Sequence, residues 1–301
     1  MKYQKSKYAG SRSLMMMALP VLAFFLLFSY LPMLGQVVAF KNYVISDGIF
    51  GSEWVGLDNF RRLFESDDFP KALSNTIVLS LLRLVFGFFM PIIIALLLNE
   101  LRIDIYKKGV QTLLYLPHFF SWVILGGIFL IIFSGSGPIN SLVKLVIDKP
   151  IPFLSDDVWF VFILITTGIW QGMGWGSIIY LAALTGISPQ LYEAATIDGA
   201  NRWRQTLSIT IPCLIPTMIT LFILSMGGIL TAGFDQIYNL YNPLVYDVSD
   251  IIDTYVLRRM LDLDMSLATA AGMFKSVVGL IMVMLTNAIA KKLTNGEQGI
   301  Y

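Results

Sequence analysis

The sequence predicts an all-α, polytopic membrane protein with six transmembrane helices, on three observations. Of 301 residues, 56% are hydrophobic and only 14% are charged, with a mean hydropathy of +0.72; a soluble domain carries about 25% charged residues. The apolar residues fall in blocks of roughly 20, the length that crosses a bilayer. Polar, charge-bearing segments separate these blocks. Inside hydrocarbon a chain must satisfy its own backbone N–H and C=O groups, so each block is expected to be helical.

The first block follows the basic start MKYQKSKYAGSRS. The run over 14–40 is long, carries Pro20 and Pro32, and has no clear small-x-small cleavage site, so it reads as a retained helix and not as a cleaved signal. Six spans are expected at about 14–36, 73–98, 112–133, 158–185, 213–233 and 265–290. If the N-terminus is cytoplasmic, the inner segments hold Lys2, Lys5, Lys7, Arg12, Arg102, Lys107, Lys108, Arg202, Arg204, Lys291 and Lys292. The longer outer segments hold Lys41, Arg61, Arg62, Lys71, Lys144, Lys149, Arg258 and Arg259. Per residue the basic excess lies inside, which favours both termini in the cytoplasm. The chain then divides into 1–72 (N-terminal tail, first helix, external segment), 73–291 (a core of five helices with a cytoplasmic loop at about 186–212) and a tail at 292–301. The outer segments, such as GSEWVGLDNFRRLFESDDFP, are too long for tight turns and should form short helices and loops. The lone Cys213 sits at a membrane edge and is expected to pack. A net charge of +1 with no basic cluster argues against a nucleic-acid partner, while the apolar blocks make membrane lipid the expected surroundings.

Catalytic signatures are missing. One histidine, His118, cannot build a metal site or a triad and reads as structural. No Walker lysine loop, HExxH or GxSxG occurs. Acidic residues are nearly absent from the spans, which leaves a carboxylate proton relay without members. The chain is therefore expected to be no enzyme and to bind no cofactor or metal, moving something without supplying the energy. A secondary, ion-coupled transporter is the alternative, and a membrane scaffold or sensor a further one.

Between two apolar runs stands EAATIDGANRWRQTLSITIP, 193–212. Ser188 and Pro189 read as N-cap and first helical residue. The helix continues through Leu191, Tyr192, Ala194 and Ala195 and stops at Gly199. A second helix starts near Asn201 and runs through Ile209 and Pro212 into the fifth span. Small alanines on such a turn suit docking into another protein's groove; a solvated loop between spans is the other reading.

Glu193-Ala194-Ala195, then Asp198-Gly199-Ala200, then Ile209 and Pro212, resembles the EAA loop of ABC-importer permeases. WVGLDNFRRLF and ALLLNELR resemble the carbohydrate-uptake permeases of the maltose type. QIYNLYNPLVY and FKSVVGLIMVMLTNAIAKK resemble the polysaccharide and complex-oligosaccharide branch. Thr206 stands where that family commonly has an aromatic residue. The resemblance implies a type I ABC-importer permease fold in a bacterial plasma or inner membrane. It also implies a second homologous permease, two ATPase subunits that bind ATP and Mg, and an extracellular solute-binding protein that delivers an oligosaccharide. In that scheme Glu193 makes a polar contact with the ATPase, Ala194 and Ala195 allow close approach, and Gly199 turns the chain, with Asp198 and Pro212 completing the motif.

Candidate substrate contacts lie in GIWQGMGWGSIIY, 168–180: Trp170, Gln171, Trp175 and Tyr180, among Gly172, Gly174 and Gly176. Indole faces stack on sugar C–H surfaces and an amide binds hydroxyls. Successive helix positions turn by about 100°, so these side chains share one face only if the glycines distort the helix. A glycine-rich helix contact with interfacial aromatics is the competing reading. Tyr238 and Asn239, with Tyr241 and Asn242, stand either at a substrate entrance or in a solvated loop. Arg83 and Lys275 lie inside spans, where a buried cation costs at least about 2.5 kcal/mol. Each needs a partner or water, or else charges a cavity that favours anionic sugars.

Overall fold

The structure is a computed structural model that describes residues 4–293; the expected tail at 292–301 lies almost wholly outside them. Helix dominates, and among the described residues five helices are long and apolar enough to cross a membrane. They are Met15–Phe40, Asp68–Glu100, Asp157–Thr185, Arg202–Gly227 and Met265–Lys292. The sixth expected span, 112–133, is not one straight helix. It is a pair, Asp104–Phe119 and Trp122–Ile132, bent by 100° at the break, and the count reaches six if the pair is one span. The chemistry of the corner explains the bend. Pro117 lacks an N–H and sits in a tight 3₁₀ turn, Leu116–Phe119. Phe120 and Ser121 are extended, and Ser121 restarts the helix as an N-cap that accepts from the Ile124 N–H.

The fifth span differs from the expected 213–233 at both ends. Its helix begins earlier because Pro212 does not break it: a π-turn, Thr206–Thr210, precedes the proline. The same pairing recurs at Leu26–Tyr30 before Pro32. A proline ring collides with the carbonyl four residues back, and a widened turn relieves the collision. The helix ends earlier, at Gly227, where Gly228 leads into a 3₁₀ turn at Ile229–Thr231, followed by left-handed Ala232 and Gly233.

The chain forms two compact units. The first comprises residues 1–66 and 256–274. Here the outer segment folds as expected into a short helix, Asp58–Glu65, and adds one small antiparallel pairing, Lys41–Asn42 with Glu53–Trp54. Buried Asn59 donates to the carbonyls of Ala39 and Lys41 at 3.0 and 2.9 Å. Ser266 accepts from the Tyr43 N–H and donates to the Lys41 carbonyl. Phe40 stacks on Trp54 with ring centroids 5.7 Å apart.

The second unit comprises residues 67–255 and 275–301. Its framework is the packing of the Asp68–Glu100 helix along the Asp157–Thr185 helix. One apolar cluster joins Leu79, Phe160, Leu164, Ile237 and Leu240. Another joins Ile92, Ala95, Tyr180, Leu184 and Leu214. Cys213, expected to pack, is free and exposed; Leu214, one position on, takes the inward-facing place.

Candidate coupling and translocation site

The polar stretch folds as its residues dictate. Pro189 opens a helix, Pro189–Ile197, after Ser188, whose side chain makes no cap hydrogen bond. Gly199 has φ +76°, the left-handed conformation that L side chains rarely adopt, and its N–H donates to the Thr196 carbonyl. Asn201 caps the next helix by accepting from the Arg204 N–H at 2.9 Å. Four side-chain bonds brace the turn. The Tyr192 hydroxyl meets Thr210 at 2.9 Å, and Gln205 donates to Thr196 and to the Ala200 carbonyl, each at 3.0 Å. Arg202 pairs with Glu100, at the end of the second span, at 2.5 Å.

What this turn presents is a mixed surface. Glu193, Ala194, Asp198 and Gly199 are exposed, Pro212 is exposed within the fifth span, and Ala195 is half-buried. The Glu193 carboxylate has no hydrogen-bond partner among the described residues. Beside it Ile197 is 87% and Trp203 72% exposed. Large apolar side chains on a braced, polar knob are suited to contact with a protein surface.

The fourth span answers the question about its glycines. Asp157–Thr185 is α-helical throughout, so no break gathers Trp170, Gln171, Trp175 and Tyr180 on one face. The expected distortion is absent because the glycines make room for neighbours. A Cβ at Gly174 would collide with the Leu114 carbonyl, and one at Gly176 would lie 3.0 Å from Pro91. Gly172 alone of these three faces open space. Trp175 stacks on His118, ring centroids 4.7 Å apart and planes 6° from parallel, and Trp170 meets Phe129 edge-on. Both indoles keep an exposed side, and Gln171 is half-buried.

Tyr180 turns inward, to a cavity of about 440 Å³ shared with Arg83, Ser80, Phe88, Ser225 and Gly233. Arg83 donates to the Gln236 side-chain oxygen. Gln236 is fully buried and held by the Leu164 carbonyl and the Thr167 hydroxyl at 2.9 and 2.7 Å. Gly233, at φ +75°, lies so close over the guanidinium that a Cβ would overlap it. Gln236 escaped the sequence reading; the signal available was an amide three residues after a glycine in an apolar stretch. Lys275 resolves differently, bonded at 2.6 Å to both carboxylate oxygens of Asp253, so its charge is neutralised within the chain. Tyr238 stacks on Phe234, and the Asn239 side chain donates to the Asp235 carbonyl of its own helix at 2.7 Å. No group of His, Cys, Asp and Glu able to hold a metal occurs among the described residues.

Comparison with known proteins agrees with this architecture. A polygalacturonan/rhamnogalacturonan transport system permease protein of Bacillus subtilis (strain 168), YteP, is 47% identical over 98% of this chain and 92% of its own length. Protein LplB of the same organism is 43% identical over 96% of this chain and 91% of its own length. Among solved structures, a chain of a bacterial ABC transporter involved in the import of the acidic polysaccharide alginate superposes with a TM-score of 0.89 at 40% identity. That superposition covers 97% of this chain and 100% of the other. Residues 87–295 match the family described as the binding-protein-dependent transport system inner membrane component. The chain, with its long apolar helices and braced polar turn, belongs to that family of ABC-transporter permeases.

Proposed function

We propose that the chain is one of two permease subunits of an ATP-driven importer of oligosaccharides or polysaccharide fragments. The carrying observation is the turn around Gly199: a structured knob with an unpartnered carboxylate and exposed Ile197 and Trp203. Separate ATPase subunits, which bind ATP and Mg, dock there, and an extracellular binding protein delivers the sugar. The names of the relatives support carbohydrate cargo. One solved relative is in complex with an alginate pentasaccharide-bound periplasmic protein. The reading places both termini in the cytoplasm, on the basic excess of the inner segments.

Two experiments test it. In a Cys213→Ser background, an impermeant thiol reagent applied from outside should label cysteines placed at Asp67 or Asp247 and not one at Asp198. The reverse pattern overturns the orientation. (Gln298, the natural choice for the C-terminal tail, lies outside the described residues.) Second, Gly199→Val forces a β-branched side chain into the left-handed region, at roughly 1–2 kcal/mol of strain, and Glu193→Ala removes a charge-assisted contact. Each should lower ATP-driven sugar uptake by about tenfold and weaken ATPase co-purification. Parental uptake by both variants, or uptake driven by an ion gradient without the ATPase, would remove this reading.

A further inference from the structure

Resting on the oligosaccharide reading, we infer that the cavity beside Gly233 is a carboxylate subsite, where Arg83 reads the acidic group of a charged sugar. A guanidinium carries five N–H donors. One hydrogen bond, to Gln236, is all that Arg83 makes among the described residues, and its Nε is buried with no partner. No carboxylate pairs with it among the described residues, whereas Lys275, a cation likewise well inside its span, holds Asp253. Supporting Gln236 needs one neutral donor and not a charge, and an uncompensated cation in a span is costly. The charge is therefore explained by something that enters the cavity.

The surroundings specify what enters. Gln236 holds one Nη and Gly233 lies close over the guanidinium, which fixes its plane, so the Nη N–H groups not used by Gln236 are the donors a carboxylate would meet. The hydroxyls of Ser80, Ser225 and Thr231 donate to the carbonyls of Ile229, Phe222 and Gly228. That leaves oxygen lone pairs to accept sugar O–H groups. The Tyr180 hydroxyl makes no hydrogen bond among the described residues, and Leu84 and Phe88 supply apolar wall for a pyranose C–H face. At about 440 Å³ the cavity falls within the range of small-molecule sites, about 300–1,000 Å³. Arg83 lies 15 residues from Asp68 and 17 from Glu100, the ends of its helix. At 1.5 Å per residue both ends are more than about 20 Å away. A lipid phosphate in either headgroup layer is thus far from this point, which leaves the sugar carboxylate as the oxyanion.

The test uses the permease pair with its ATPases in nanodiscs, without binding protein, and two probes: trigalacturonate and its carboxyl-reduced, neutral trisaccharide. The intact assembly should bind the acidic probe at least about tenfold more tightly, and the preference should shrink as salt is raised. Arg83→Gln should bring the two affinities together. Arg83→Lys, which keeps charge but loses the fork, should retain part of the preference, and it decides the matter if the glutamine variant does not assemble. Equal binding by the wild-type assembly, as expected if the second permease supplies the carboxylate, overturns the inference, as does an undiminished preference in either variant. ATP-driven, binding-protein-dependent uptake of neutral oligosaccharides in proteoliposomes would leave the importer reading standing when the subsite fails. Absence of such uptake for every oligosaccharide tried would count against the importer reading itself.

Discussion

Gly174→Ala should prevent stable assembly of the chain, although it adds a single methyl group. The new Cβ would overlap the backbone carbonyl of Leu114, and it would sit 3.1 Å from the Leu114 Cβ. A flexible side chain could rotate away; a helix backbone cannot. Relief requires moving the Asp104–Tyr115 helix and with it Pro117 and the His118–Trp175 stack. Overpacking against side chains costs about 1–3 kcal/mol, and here the obstruction is main chain, so the cost should exceed that range. Gly172→Ala is the control. Nothing lies within 4 Å of its added methyl, and alanine is the better helix former by about 1 kcal/mol. Size-exclusion yield and thermal denaturation of the detergent-solubilised protein should separate the two sharply. Equal melting temperatures would mean that the close contact does not form.

Asp253→Asn should be nearly as damaging, for an electrostatic reason. Lys275 bonds to both oxygens of Asp253 at 2.6 Å, and the two side chains are only 19% and 24% exposed. Removing one partner of a buried pair leaves an uncompensated charge, at about 3–5 kcal/mol; partial exposure argues for the lower end. Replacing both partners removes the stranded charge, so Asp253→Asn combined with Lys275→Met should recover most of the lost melting temperature. A double variant no better than the single one would show that the aspartate acts through something other than its ion pair.

These two sites show where sequence reading reached and where it stopped. Composition and apolar block length placed the long helices, because a bilayer imposes length and a helix satisfies the backbone whatever the neighbours are. Much of the turn at 188–212 was legible, since Pro189, Gly199 and Asn201 act through local backbone chemistry; the missing Ser188 cap bond and the π-turn before Pro212 were not. The corner at Phe120–Ser121 was not. Hydropathy sums over a window and cannot register a change of direction, although Pro117 and Ser121 both stand there. The glycines of the fourth span raised a question that only tertiary contact settles: Gly174 differs from Gly172 by what lies opposite, not by anything nearby in the chain. Likewise Lys275 demanded a partner, but nothing in its own helix named Asp253, 22 residues back. Gln236 went unnoticed because a buried amide has no periodic or motif signature.

The corner also bears on how the protein is made. At 1.5 Å per residue its arms, Asp104–Phe119 and Trp122–Ile132, are about 24 and 16 Å long. Each is shorter than the hydrocarbon core of about 30 Å. Neither arm is therefore long enough to be released by the insertion machinery as a spanning helix by itself. The first arm's end packs on the fourth span, Gly174 against the Leu114 carbonyl and Trp175 on His118. Gly174 and Trp175 emerge about 40 positions after the second arm ends. At a synthesis rate of about 5–20 residues per second, the nascent chain waits roughly 2–8 s with its corner open. Chains arrested between Ile132 and Gly174 are accordingly the species on which membrane proteases and holding chaperones should act most strongly.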